Sequence, residues 1–241
     1  MFFTCSPACV DPTHHHTAAE RLSRSSAATS QAATKAPTKS RTQVTAKSST
    51  QKTVRNSKGK LKVVDVHCHY LNPVVNQKTA HLNAAQYDPT VIFANDLTNQ
   101  TNVKQMKDRA PKLMGIDVRL KDMDRMGVDI QAVAPAPYHY FYFTEPAYGA
   151  ELAREVNEGI ANVVAQHPDR FVGMGSVPLQ NAELAVQELE YCVKKLGLRG
   201  VEINTNVNGL NLTDPSLGLE KFFAKANELG TVIFMHPLGY T

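Results

Sequence analysis

The sequence predicts an α/β fold, a (β/α)8 barrel that has reached its fifth strand at Thr241. Three observations carry this. Short runs of β-branched and aliphatic residues recur as strands, each followed by a stretch with apolar residues at three- and four-residue spacing. Glycine closes several of the helical stretches, and proline closes several of the strands. Strand alternating with helix favours parallel strands joined by right-handed crossovers. An eight-stranded barrel takes about 250 residues. Here about 180 of the 241 have a composition that folds, so the barrel is expected to be truncated after its fifth strand.

The first strand is LKVVDVHCHY, residues 61–70, where three valines favour an extended chain and the run is too short for a typical helix. Residues 72–116 are rich in Asn, Gln, Thr and Asp, with Val91, Ile92 and Phe93 as isolated apolar positions. They read as a long excursion carrying one helix near 99–109, of the kind that often serves as a lid. Val118–Met126 is a helix stopped by Gly127, and 128–135 is a buried strand. Over 149–166, Leu152, Val156, Ile160, Val163 and Val164 share one helical face. RFVGMGSV, residues 170–177, is the third strand, and 183–196 is a helix ended by Gly197. Gly200–Asn204 is the fourth strand. Asp214 caps a helix with proline at its first position, expected to run to Leu229 and close at Gly230. Residues 231–235 are the fifth strand.

Residues 1–60 differ in kind. They hold ten Lys and Arg against Asp11 and Glu20, a net charge of +8, while 61–241 carry −4. The overall +4 therefore describes a basic Ser/Thr/Lys-rich tail, expected to be disordered, on a mildly acidic body. A body of that charge argues against nucleic acid as a partner. No run of about 18 apolar residues points to a membrane span. The tail's Ser-rich, acid-poor composition leaves organelle targeting open beside a cytoplasmic location. His14, His15 and His16 read as solvated. Cys5, Cys9, Cys68 and Cys192 are too scattered for a disulfide framework, so reduced thiols are expected.

The chemistry concentrates at strand ends. His67 and His69 are two apart, so on a strand they share a face, roughly 6–7 Å apart, with Cys68 opposite and Asp65 on their side. His236 stands at the end of the fifth strand in FMHP. In a barrel the strand C-termini form the active face. Three imidazoles there suit a divalent metal with an open coordination position. The loop after the second strand, PAPYHYFYF (135–143), carries Tyr138, His139 and Tyr140. It either walls a planar substrate or packs as an aromatic cluster. Arg119 and Arg125 lie on an acid-bearing helix, where surface pairing is expected.

Asp65-x-His67-x-His69, RFVGMGSVPLQ (170–180) and FMHP (234–237) resemble the amidohydrolase superfamily. VRLKDMDRMGVDIQAV (118–133) and 167–203 resemble, more closely, its branch typified by 2-amino-3-carboxymuconate 6-semialdehyde decarboxylase. The resemblance covers roughly 61–241. It implies a (β/α)8 TIM barrel of the metal-dependent hydrolase type, and a zinc ion or another divalent metal such as manganese on His67, His69 and His236. It also implies non-oxidative loss of CO₂ from an unsaturated or aromatic carboxylic acid, with the metal lowering the pKa of a bound water. The family's remaining metal aspartate and catalytic histidine belong to later strands, so no catalytic residue is expected within this chain. Arg109 falls, with Lys107, where the family places a carboxylate-binding arginine; Tyr138, His139, Tyr140 and Asn204 are the other substrate-side candidates. Where the family's strand-four loop commonly has a histidine and a tryptophan, this chain has Asn206 and Leu210. A hydrolase of a lactone or amide on the same site, or an inactive truncated paralogue that binds a partner, are the alternative readings. A homodimer is left open.

Overall fold

The structure, a computed structural model, describes residues 59–83, 89–92 and 94–237. The basic segment of residues 1–58, with His14 to His16, Cys5 and Cys9, lies outside the described residues. Five strands pair in parallel: β1 (Val64–Tyr70), β2 (Ile130–Pro135), β3 (Phe171–Gly175), β4 (Gly200–Asn204) and β7 (Val232–His236). Their order in the sheet is β1-β2-β3-β4-β7, which is also their order in the chain. β5 (Asn206–Val207) and β6 (Leu210–Asn211) form a separate small hairpin.

Between β1 and β2 the chain makes α1 (Pro73–Lys78), the single turn α2 (Pro89–Ile92), α3 (Asp96–Met114) and α4 (Ile116–Met126). The excursion is therefore more helical than its composition suggests. Asn95 begins α3 by accepting the Thr98 amide at 2.9 Å. No residue of α3 is buried, so α3 covers the scaffold rather than forming it. α5 (Pro146–Gln166), α6 (Ala182–Lys194) and α7 (Glu220–Leu229) are the crossover helices of the later strands.

The helix expected over 214–229 is two elements. Asp214 accepts from the Ser216 amide at 2.9 Å and from its hydroxyl at 2.6 Å, which tightens Pro215–Leu217 into a 3-10 turn. Gly218 then takes a left-handed φ of 60°. That conformation ends the turn and re-aims the chain before α7 begins.

Strand residues alternate between two interiors. Val133, Val201 and Ile203, all fully buried, face the helices. There, Val201 and Ile203 pack among Leu152, Ile160, Leu189 and Phe222 in the main core. The concave face is lined by small or slender side chains: Ala132, Ala134 and Met174, with Val172 and Phe234 against them. Small residues there allow tight curvature. Gly200 matters for the same reason, because a Cβ on it would lie 2.1 Å from the Val232 carbonyl oxygen.

A polar knot locks the outer layer. The Asn157 side chain donates to the Ser176 carbonyl (2.9 Å) and to Glu188 (2.8 Å), and accepts the Ser176 amide (2.6 Å). Arg154 closes on Glu188 through Nε and Nη2 and stacks 3.5 Å over the Tyr191 ring. One cluster thus joins α5, the end of β3 and α6. No helix among the described residues is long and apolar enough to cross a membrane.

Candidate metal centre

β1 and β7 lie at opposite edges of the sheet, four strand spacings apart. In a flat sheet that is roughly 19 Å. Yet the His236 ring centroid on β7 stands 5.1 Å from that of His67 and 4.9 Å from that of His69 on β1. Phe234 of β7 also reaches the His67 ring, at 5.4 Å. The curl of the sheet brings the two edges to one point, and three histidines occupy that point.

One ring nitrogen from each of His67, His69 and His236 lies within 4.8 Å of the others, and the two Nε2 atoms of His67 and His69 are 3.1 Å apart. Two nitrogens on one tetrahedral ion, each at about 2.0–2.1 Å, are separated by roughly 3.3 Å, so this pair is spaced for a shared cation. The tautomer fits as well. His69 Nδ1 is 2.9 Å from the Pro135 carbonyl oxygen, which only accepts, so Nδ1 carries the hydrogen and Nε2 keeps its lone pair. Burial pushes the His69 pKa down to about 4, and the neighbouring His236, His67 and Arg119 add to the effect against the Pro135 carbonyl. Burial also lowers that of His236, with His67 contributing. His69 is therefore a neutral donor near pH 7, as a metal ligand must be. His236 Nδ1 is buried with no hydrogen-bond partner. These residues fit a divalent metal.

Cys68 lies opposite His69 as expected. Asp65, expected on the histidines' side, instead shares the face of Cys68, because an extra residue in the strand reverses its parity. On β1, residues 65 to 68 stand against 131 to 133 of β2, so the strand bulges at Val66–His67. Cys68 points away as expected, with its thiol 3.1 Å from the Ala132 carbonyl and its pKa pushed up by burial to about 12. It is an inert thiol.

Sequence reasoning missed the groups beneath the histidines. Arg119, expected at the surface, is 7 % exposed. Its Nη2 donates to the His69 carbonyl (2.6 Å) and to those of Lys112 and Leu113 (3.3 and 3.2 Å), and Nη1 donates to Gln131 (3.2 Å). The correction has a physical reason: the last turn of α3 leaves carbonyls without helical partners, and Arg119 folds back under them. Arg125 does pair at the surface, with Asp122. Gln131 passes a hydrogen bond to Asp65 (3.1 Å), whose other oxygen accepts the His67 amide (3.1 Å). Glu202 on β4 is fully buried, accepts the Tyr140 hydroxyl at 2.7 Å and lies 3.8 Å from His69 Nδ1. Burial raises its pKa to about 7 against the Tyr140 hydrogen bond. The signals were present as Glu202 and Gln131, polar residues inside otherwise apolar strands.

The substrate-side candidates fall into two groups. Tyr140 and His139 are buried; Tyr140 holds Glu202, and His139 Nε2 meets Asn76 Oδ1 at 3.0 Å. Tyr140 stacks on Tyr142 at 5.6 Å between centroids, and the Tyr142 hydroxyl accepts the Asn204 amide at 3.4 Å. Asn204 is itself buried and pairs in register with His236. Much of the aromatic loop therefore packs into the core. Tyr138, by contrast, is 42 % exposed, and Arg109 is exposed on α3.

A family model described as amidohydrolase matches residues 64–241. The 2-amino-3-carboxymuconate-6-semialdehyde decarboxylase of Dictyostelium discoideum is 43 % identical over 121 residues, covering 50 % of this chain and 33 % of that protein. Gamma-resorcylate decarboxylase of Rhodococcus jostii is 29 % identical over 128 residues, covering 50 % and 39 %. Among solved structures, 5-carboxyvanillate decarboxylase from Sphingomonas paucimobilis superposes with a TM-score of 0.62 at 25 % identity, covering 73 % of this chain and 52 % of the other. A dihydroxybenzoic acid decarboxylase from Polaromonas sp., solved with manganese and 2-nitroresorcinol, gives 0.58 at 24 %, covering 73 % and 49 %. The chain spans between a third and about half the length of these relatives. A half-barrel with strand-end histidines and a family match over three-quarters of its length leave one assignment: the chain belongs to the amidohydrolase family.

Proposed function

We propose that the protein is a metal-dependent, non-oxidative decarboxylase of a small unsaturated or aromatic carboxylic acid. The observation that carries this reading is the convergence of His67, His69 and His236 from opposite edges of the sheet. The decarboxylase relatives support it, and the bound manganese of the Polaromonas enzyme favours Mn²⁺ beside Zn²⁺. A divalent ion there polarises the oxygens of a bound acid. His69, held neutral by burial and in its Nδ1–H tautomer by the Pro135 carbonyl, supplies a lone pair rather than a proton. Asn204, beside His236 in register, borders the acid, and Arg109 and Tyr138 meet it from the open side. Buried Tyr140 and His139 fix the floor on which it rests. Arg109 is matched to a departing carboxylate, which its planar fork pairs bidentately.

The test is CO₂ release from 2-amino-3-carboxymuconate-6-semialdehyde and from 2,6-dihydroxybenzoate, with Mn²⁺ or Zn²⁺ restored after chelation. Metal-dependent CO₂ release from either acid supports the reading. Metal-dependent opening of a lactone or amide without CO₂ release replaces it with a hydrolase on the same ligands.

A further inference from the structure

We propose that Arg119 is a positioning residue for the metal centre, fixing the backbone of both β1 histidines. The inference rests on the metal-centre reading and adds to it a residue that touches no ligand. Its reach is visible in the bonds. Nη2 holds the His69 carbonyl directly. Nη1 reaches His67 by relay: Gln131 accepts from Arg119, donates to Asp65, and Asp65 accepts the His67 amide. One planar guanidinium therefore sets the heights of two residues on either side of Cys68, across the bulge where β1 leaves regular register. A bulge leaves its extra residue unpaired and interrupts the ladder, and the bonds from Arg119 and Gln131 brace β1 there.

The chemistry of the brace is unusual. Among the described residues, the hydrogen-bond acceptors of Arg119 are three carbonyls and a carboxamide, and no carboxylate accepts from it. A full charge buried without a directly bonded counter-ion is costly, and a neutral donor would serve if cohesion were its only task. Two of the acceptors are Lys112 and Leu113, in the last turn of α3, where the helix dipole offers partial negative charge. The guanidinium thus joins the end of the covering helix α3 to the carbonyl of a ligand histidine. A shift of α3 is a shift of His69.

The readout is Mn²⁺ affinity of the full chain, measured by chelator competition, together with the visible spectrum of bound Co²⁺ and the thermal midpoint without metal. Arg119→Met is expected to weaken Mn²⁺ binding by about tenfold to a hundredfold, the range for groups that orient ligands, and to alter the Co²⁺ spectrum. Arg119→Lys, which keeps a donor for the His69 carbonyl but loses the fork to Gln131, recovers part of the loss. Gln131→Met cuts only the relay to Asp65 and His67. It is expected to weaken Mn²⁺ binding severalfold, with a smaller drop in the metal-free midpoint than Arg119→Met because the guanidinium and its bond to the His69 carbonyl stay in place, which keeps the proposal testable if Arg119→Met fails to fold. Native Mn²⁺ binding with unchanged affinity and Co²⁺ spectra in the variants, whatever their midpoints, overturns the proposal alone. No Mn²⁺ binding by the native chain overturns the metal-centre reading and the proposal with it.

Discussion

Two polar clusters lie a few strands apart, and they are built on opposite rules. In the knot of Asn157, Ser176, Glu188 and Arg154, the Asn157 side chain makes all three of its bonds to protein and Glu188 is met by both of its neighbours. At the convergence of β1 and β7, three rings turn a nitrogen each toward one another. Around them His236 Nδ1, Glu202 Oε2 and Arg119 Nε are buried without hydrogen-bond partners. A buried polar group without a partner costs about 1–3 kcal/mol, so a fold tolerates several together only where something else gains from them. The saturated cluster gives cohesion and the open one gives binding.

The sharpest way to break this comparison is to remove one group from each side. His236→Ala is expected to lower Mn²⁺ affinity by more than about a hundredfold, beyond the range for outer-shell changes. The metal-free melting curve should scarcely move. Calorimetric titration and thermal melts of the same preparation check both. Asn157→Ala is the mirror image. It strands the Ser176 amide and carbonyl and takes a donor from Glu188, for a loss of about 3 kcal/mol in urea unfolding with Mn²⁺ affinity unchanged. A histidine variant that destabilised the metal-free chain as much as Asn157→Ala would make the histidines structural.

The same contrast explains what was legible in the sequence. Strand positions were, because β-branched runs bounded by glycine and proline constrain the backbone locally; Gly200–Asn204 stands as expected. The three histidines were too, since a two-residue spacing fixes a shared face and a strand end fixes a level. Arg119 was not. Nothing local distinguishes it from Arg125, six residues on along the same helix, and its burial depends on where α3 ends and on the carbonyl of His69, 50 residues away. Glu202 was missed for a similar reason. Its partner Tyr140 comes from a loop 62 residues earlier, and no periodicity reports that pairing. The break at Gly218 could have been read, because a glycine four residues after the Asp214 cap is a stop signal as well as a helical residue.

A pH series sharpens the comparison from a third position. His139 is buried, stacked on Phe141 at 5.6 Å, with Nδ1 unpartnered, and burial lowers its pKa to about 4. Its folded pKa lies below the unfolded value of 6.5, so the unfolded chain takes up its proton first as pH falls. The stability it leaves intact above pH 6.5 is therefore lost progressively between pH 6.5 and about 4, amounting to about 2 kcal/mol at pH 5. Glu202 and His69 also titrate in this range, so the measurement is a difference. The stability gap between the native chain and His139→Gln should narrow by about 2 kcal/mol from pH 7 to 5 in paired urea titrations. A gap that stays constant would mean His139 is charged or solvated in the folded chain.

The smallest effect tests whether the floor beneath the histidines belongs to the saturated cluster type or the open one. Tyr140→Phe removes the hydroxyl that donates to Glu202 Oε1 and leaves the packing of the ring on Tyr142 in place. The expected cost is about 1 kcal/mol, that of a single buried hydrogen bond. Its pH dependence is more telling than its size. The folded pKa of Glu202 is already raised from 4.5 to about 7, so its contribution is full below pH 4.5 and is lost as pH rises through 7. The Tyr140 hydroxyl holds that value down, and without it the carboxyl keeps its proton to higher pH. The loss of stability with rising pH should then extend further to the alkaline side in Tyr140→Phe, read from urea midpoints between pH 5 and 9. Parallel curves for the variant and the native chain would show that Glu202 is ionised throughout. The carboxyl would then answer to a positive charge at the histidines rather than to Tyr140, and the floor would be part of the open site.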